Sequence, residues 1–174
     1  MNINPTGKER YFDAADIIVS KTNLKGHITY INKTFMDISG FDESDLLDKP
    51  HSIIRHPDMP RCVFKLLWDT LAGGHEIFAY VKNMCKNGDH YWVLAHVTPS
   101  FDTNHSVCGY HSTRRVPDQK IVKDTIIPLY DHLLTEEGKH SNRKEGLRHS
   151  YDALQEIIQQ KGTDYARFIF SLQS

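Results

Sequence analysis

Residues 76–100 read EIFAYVKNMCKNGDHYWVLAHVTPS. Two runs rich in β-branched and aromatic residues, 76–85 and 90–100, flank Lys86-Asn87-Gly88-Asp89. An Asn-Gly pair tolerates the positive φ angles of a tight hairpin turn, so the stretch predicts two antiparallel strands. A third β run, VCGYHSTRRV at 107–116, follows the polar loop DTNH and extends the sheet.

Working outward, DIIVSKTNLKGHITYIN at 16–32 holds two more short β runs, Ile17 to Thr22 and His27 to Ile31, separated by Asn23 to Gly26. That pattern is a hairpin. In the residues that follow, Phe35, Ile38, Phe41 and Leu46 recur at helical intervals, with Gly40 and Pro50 as stops. RCVFKLLWDTLAGG at 61–74 places Val63, Leu66, Leu67 and Thr70 or Leu71 on one face and ends in two glycines, a helix with a C-terminal stop. Strand, strand, short helices and three antiparallel strands make an α+β layout, a five-stranded antiparallel sheet with its helices gathered on one face.

Between the two halves of the sheet lies KPHSIIRHPDMP at 49–60. Arg55 offers a rigid fork of donors suited to phosphate or carboxylate, His56 a group that donates or accepts near neutral pH, and Asp58 an acceptor. Pro57 and Pro60 restrict φ and remove donors, so the side chains are aimed before any ligand arrives. The plainer alternative is that Asp58 caps a helix starting near Pro60 while Arg55 pairs with a surface carboxylate.

GHITYINKTFMDISGF at 26–41, RHPDMP at 55–60 and KNGDHYWV at 86–93 together resemble the flavin-binding PAS domain of bacterial aerotaxis receptors. The resemblance spans roughly Asp16 to Arg115 and implies a PAS fold. It implies noncovalent FAD as cofactor, held in part by the matching Arg55, His56 and Asp58. Asn83, before the hairpin turn, carries an amide able to meet the hydrogen-bonding edge of a flavin ring. Asn32 is a further candidate contact, with a helix N-cap as its alternative role. Trp68 and Tyr91 are candidates to wall an aromatic cofactor, although large aromatics default to the core, as do Trp92 and Phe64. Ile77 or Phe78 stands where flavin-binding relatives carry tryptophan. The cysteine motif of photochemical flavin domains is absent. Haem held through a single histidine is the alternative cofactor.

The 174 residues suffice for one sizeable core, and a formal net charge of -1 gives no electrostatic reason to expect nucleic acid. Three widely spaced cysteines form neither a disulfide framework nor a zinc motif, and the 11 histidines show no metal-ligand spacing. With no long apolar run, we expect a cytoplasmic protein without a membrane span.

The expected organisation is an N-terminal cap at 1–15, a PAS sensor domain at 16–117 and a helical extension at 118–174. In the extension Ile121, Ile126, Leu129 and Leu133 keep helical spacing despite Pro128, and Leu147, Tyr151, Leu154 and Ile158 form a second stripe. Tyr165, Phe168, Ile169 and Leu172 mark a third, shorter helix. Such helices gain most of their stability by packing. They predict a surface for a signalling partner, such as a chemotaxis receptor or kinase, or for a homodimer through the sheet or the helices themselves. No nucleophile–base set or phosphate-binding glycine loop points to an enzyme. The expected function is redox or oxygen sensing, with an interaction module that has an empty pocket or another ligand as the alternative.

Overall fold

The computed structural model describes residues 3–173, so Met1 and Asn2 of the N-terminal segment and Ser174 of the tail lie outside it. The first hairpin forms as read, with β1 (Ile18–Asn23) antiparallel to β2 (Ile28–Ile31). Its turn is fixed by Asn23 Oδ1, which accepts the backbone N–H of Lys25 at 2.9 Å and of His27 at 3.1 Å. Helices α1 (Lys33–Ser39) and α2 (Glu43–Leu46) follow, and α3 spans Arg61–Ala72. Gly40 at φ 71° and Gly74 at φ 78° end α1 and follow α3 in the left-handed conformation.

Strands β3 (Ile77–Met84), β4 (His90–Phe101) and β5 (Val107–Arg115) complete an antiparallel sheet of order β2-β1-β5-β4-β3. Pairing of β1 with β5 joins the two ends of the sheet-forming sequence. The connection from β2 to β3 therefore crosses one face of the sheet and lays α1 to α3 over it. Side chains alternate between faces. Val81 and Asn83 of β3, Ala95 and Val97 of β4, and Ser112 and Arg114 of β5 point toward these helices.

The opposite face is covered by the tail. Helix α4 (Gln119–Ile121) passes through a wider π-helical turn, Val122–Ile126, into α5 (Ile127–Gly138). Pro128 explains the widening: it has no N–H and its ring would strike the carbonyl of Asp124 in a regular helix. Helix α6 (Arg143–Gln160) starts at Asn142 and α7 (Tyr165–Ser171) at Asp164, each side chain capping backbone N–H groups. Tyr130 of α5 lies 6.1 Å from the Trp92 ring, and Phe170 of α7 lies 4.8 Å from Phe78. With both faces covered, β3 and β4 show long buried runs instead of clean alternation.

One buried cluster runs from Ile18, Phe35 and Tyr91 to Val122, Leu133, Leu154 and Phe168, so the tail shares the core of the sheet. The stripe that α6 buries is Gly146, Ser150, Leu154 and Ile158, whereas Leu147 and Tyr151 stand beside it, half-buried. The shift arises because α5 and α6 approach closely: a Cβ on Gly146 would fall 2.5 Å from the Glu137 carbonyl oxygen. The N-terminal segment lies along the β3–β4 hairpin. The N–H of Thr6 bonds the Gly88 carbonyl at 2.9 Å and that of Arg10 the His90 carbonyl at 2.7 Å. Gly88 thus serves both turn and strap, since at φ 90° a side chain there would also meet the Asn4 carbonyl oxygen.

Candidate functional site

Between the sheet and α3 is a cavity of about 280 Å³. Phe64, Leu67 and Trp68 from α3 and Val81, Ala95 and Val97 from the sheet give it apolar walls. Ser20, Thr22, Asn83 and Ser112 add short polar groups, and Lys25, His51, Arg55 and Arg114 add basic ones. No aspartate or glutamate lines it among the described residues. Thr22 Oγ1, Asn83 Nδ2, Ser112 Oγ and Arg114 Nη1 are all buried without a hydrogen-bond partner. Leaving such a group unpaired costs about 1–3 kcal/mol, so four in one cavity mark a place built for a polar ligand.

Arg114 is the deepest basic group, 4% exposed. Its Nη2 donates to Ser20 Oγ at 2.9 Å and to His51 Nε2 at 2.8 Å, and its guanidinium lies over the Phe35 ring, 5.4 Å from the centroid. Burial pulls its pKa down to about 10. Burial and the Arg114 charge pull His51 down to about 3, so His51 is neutral, with Nε2 as acceptor. His51 is the one histidine of the described cavity lining, and this nitrogen is committed to Arg114.

The sequence candidates separate into two groups. Arg55, Asn83 and Trp68 line the cavity. Arg55 and Asn83 also meet through an antiparallel backbone bridge, which ties the 49–60 stretch to the edge of β3. The Arg55 guanidinium sits 4.1 Å from the Phe64 ring centroid and donates to the Met59 carbonyl at 3.3 Å. Trp68 stands at the mouth, 39% exposed, edge-on to Tyr110 and against Gly26.

The others lie outside the lining. His56 is buried against His90, ring centroids 5.5 Å apart, and its Nδ1 accepts the Asp58 backbone N–H at 3.1 Å. Burial, then the nearby Lys82 charge, pull His56 down to about 4 against the opposing pull of Asp58. Asp58 faces Lys82, Nζ to Oδ2 2.6 Å. Together these groups fix the loop on which Arg55 is carried. Asn32 is used up by the fold: Oδ1 accepts the N–H groups of Phe35 and Val19, and Nδ2 donates to the Ile17 carbonyl. Tyr91, fully buried opposite Asn83 in the β3–β4 register, packs its ring edge-on to Phe12. Cys62, in α3, is buried outside the lining, and burial pushes its thiol up to about 11.

Among the polar and basic lining residues Ser20, Thr22, Lys25, His51, Ser52, Ser112 and Arg114 were missed from the sequence. The signal for Ser112 and Arg114 was there: they share the inward phase of β5, where a cation in a covered sheet stands out.

An antiparallel sheet that encloses a ligand-sized cavity beneath short helices defines a class of domain with an internal small-molecule pocket. Residues 28–114 match the family model described as the PAS fold, and the chain belongs to that family. It is 41% identical to the aerotaxis receptor of Escherichia coli (strain K12) over 117 residues, 67% of this chain and 22% of the receptor. It is 26% identical to sporulation kinase C of Bacillus subtilis (strain 168) over 141 residues, 79% of this chain and 32% of the kinase. The chain thus spans no more than about a third of these relatives. The dark structure of the blue-light photoreceptor Aureochrome1 LOV superposes with a TM-score of 0.57 at 17% identity, covering 66% of this chain and 86% of that one. Among the described residues no helix is long and apolar enough to cross a membrane.

Proposed function

We propose that this chain is a redox- or oxygen-sensing domain that binds FAD noncovalently and passes its state to a signalling partner. The observation that carries the reading is the cavity itself, apolar-walled, free of acidic lining residues and holding four buried polar atoms without partners. Its volume is near the lower end of small-molecule sites, roughly 300–1,000 Å³, and suits a flavin ring system with the remainder of the cofactor at the mouth. Similarity to an aerotaxis receptor, with RHPDMP and KNGDHYW present, supports the same assignment.

Asn83, Ser112 and Thr22 supply donors and acceptors to the ring edge, and Val81, Ala95, Val97 and Leu67 supply apolar contact. Lys25 and Arg55 suit the diphosphate, and Trp68 at the mouth offers an aromatic face. His56 and Asp58 act one step back, through the loop that carries Arg55. Bound flavin supplies reversible electron uptake. The residues around it respond by rearranging hydrogen bonds, a change that α3 carries to the tail. The partner is a signalling protein such as a chemotaxis receptor or kinase, met in the cytoplasm. A homodimer would use the outer side of the tail, because the tail already covers the sheet at β3 and β4.

The test is direct. The full chain, incubated with excess FAD, freed of unbound cofactor and then denatured, should release stoichiometric flavin by absorbance. No released flavin would sink the cofactor assignment.

A further inference from the structure

Arg114 is a buried cation without an anion. No carboxylate lies within salt-bridge distance of it among the described residues. The other charged groups of the cavity lining, Lys25 and Arg55, carry the same sign. Its two hydrogen-bond partners, Ser20 and His51, are neutral, and its Nη1 has none. Among the described residues no counter-ion compensates the charge: the Phe35 ring face and the nearby Tyr91 hydroxyl give only partial relief, and a buried ion without a counter-ion is costly. A fold that needed only a filler here would be served by methionine or leucine.

We propose that Arg114 is an anion-recognising residue: the inner end of the cavity takes a planar, negatively charged or carboxylate-like N–C=O or O–C=O edge, which the free Nη1 meets. A guanidinium fork matches such an edge in shape as well as charge. Ser112 and Asn83, whose unpaired atoms line the same cavity, complete the polar end. Resting on the flavin reading, this assigns Arg114 a regulatory role as well. Uptake of two electrons and one proton from an external reductant leaves one negative charge on the N–C=O side of the ring, so Arg114 holds the reduced cofactor more tightly than the oxidised one.

Two measurements on the full chain separate the parts. The first uses protein freed of small molecules and follows thermal unfolding against sodium formate, with ionic strength held constant by sodium chloride. Formate should raise the midpoint of the natural protein saturably, leave Arg114→Met unmoved and act partially on Arg114→Lys. Arg114→Met should itself unfold at the same temperature or higher without formate, because it removes a buried charge that has no counter-ion. An equal formate response in the natural protein and Arg114→Met, or none in either, overturns the anion site. Collapse of the Met variant together with full function of Arg114→Lys lacking a formate response assigns Arg114 a purely structural role and overturns it as well.

The second measurement uses the FAD-loaded protein in a dithionite titration against a reference dye. Arg114→Met should weaken the reduced form relative to the oxidised at least tenfold, a fall in midpoint potential of about 30 mV for two electrons. An unchanged potential overturns the regulatory role. If the natural protein takes up no FAD, the flavin reading fails, while the formate series still decides whether Arg114 recognises an anion.

Discussion

Glu137 of α5 caps the helix that Arg61 begins: its Oε1 accepts the Arg61 backbone N–H at 2.7 Å and its Oε2 the Arg61 Nε at 2.9 Å. The same carboxylate takes the Cys62 N–H at 3.2 Å and the Ser150 hydroxyl at 3.1 Å. Proline at position 60 has no side-chain oxygen with which to cap α3, so the tail supplies the cap from 76 residues away. An anion at a helix N-terminus is favoured by the unpaired N–H groups and by the helix dipole. Since α3 also carries Phe64, Leu67 and Trp68 into the cavity, one helix joins cavity to tail.

Replacing Glu137 with alanine should therefore destabilise the whole chain by about 2–4 kcal/mol, since it strands two N–H groups and a partly buried guanidinium. Urea denaturation followed by far-UV circular dichroism measures this. Glu137→Ala should also weaken ligand binding although the residue is not part of the cavity lining. An unfolding midpoint within experimental error of the natural protein would show that α3 needs no cap from the tail.

The two groups of sequence candidates, those lining the cavity and those outside it, should behave differently. Asn83→Ala removes an amide that lines the cavity and should weaken FAD binding by about 1–3 kcal/mol, roughly 5- to 150-fold, with little loss of stability. His56→Ala should instead lower stability by a similar amount, because it empties a buried site under the loop. Parallel fluorescence titrations with FAD and thermal melts distinguish the two. Equal loss of affinity with unchanged stability in His56→Ala would place that ring on the cofactor.

Acid should act through the buried histidines, His51 with its folded pKa near 3 and His56 among them. The folded pKa of His56 lies near 4, below the ordinary 6.5, chiefly from burial. Above pH 6.5 neither folded nor unfolded chain holds the proton and stability is at its full value. As pH falls from 6.5 toward 4 the unfolded chain takes up a proton that the folded ring refuses, so stability declines by up to about 1.4 kcal/mol per pH unit for each such ring. His90, lowered by burial, adds to the decline, while Asp58 opposes and Lys82 reinforces the effect on His56. Glu9 favours protonation of His90 from the strap. Urea titrations between pH 7 and 5 should show a smaller decline for His56→Gln than for the natural protein, and equal slopes would contradict this account.

The sheet and its helices were legible because they are encoded locally. Asn87-Gly88 fixes a turn, and the helix-spaced apolar residues before Pro50 and after Pro60 fix the cover. The candidate site was legible at Arg55, which a motif carried, and at Asn83 and Trp68, which their residue types suggested. His56 and Asp58 share that motif, yet the loop turns their side chains toward His90 and Lys82 instead of the cavity. Arg114 and Ser112 share the inward phase of β5, a signal that marks them as buried without showing which groups they meet. Their importance depends on the β1–β5 pairing, which brings Ser20 beside Ser112 across 92 positions of sequence order. The stripe of α6 was displaced for a similar reason. Its spacing shows that a face is buried, but the close approach to Glu137 selects the phase with glycine and serine.

The tail is the last matter for test. It caps α3 through Glu137, and Tyr130 donates its hydroxyl to the Tyr80 carbonyl at 2.6 Å, pairing a backbone group on the sheet's outer strand. Phe78 and Trp92 are covered by Phe170 and Tyr130 from the same segment. Tyr130→Phe, which deletes only the hydroxyl and leaves a buried carbonyl unpaired, should cost about 1–2 kcal/mol. Removing everything after Pro117 should do more. It strips the N–H groups of α3, the Tyr80 carbonyl and a contiguous apolar face of Phe78, Tyr80, Trp92 and Leu94, and such a face drives association. The shortened chain should sediment as dimers or larger species at concentrations where the full chain does not. It should also melt at a lower temperature. Adding charge to that face, as in Leu94→Glu within the shortened chain, should restore the smaller species without restoring the melting temperature, because the missing cap is unaffected. If the shortened chain sediments and melts like the full one, the tail is a passive attachment and the link from cavity through α3 to Glu137 carries no signal.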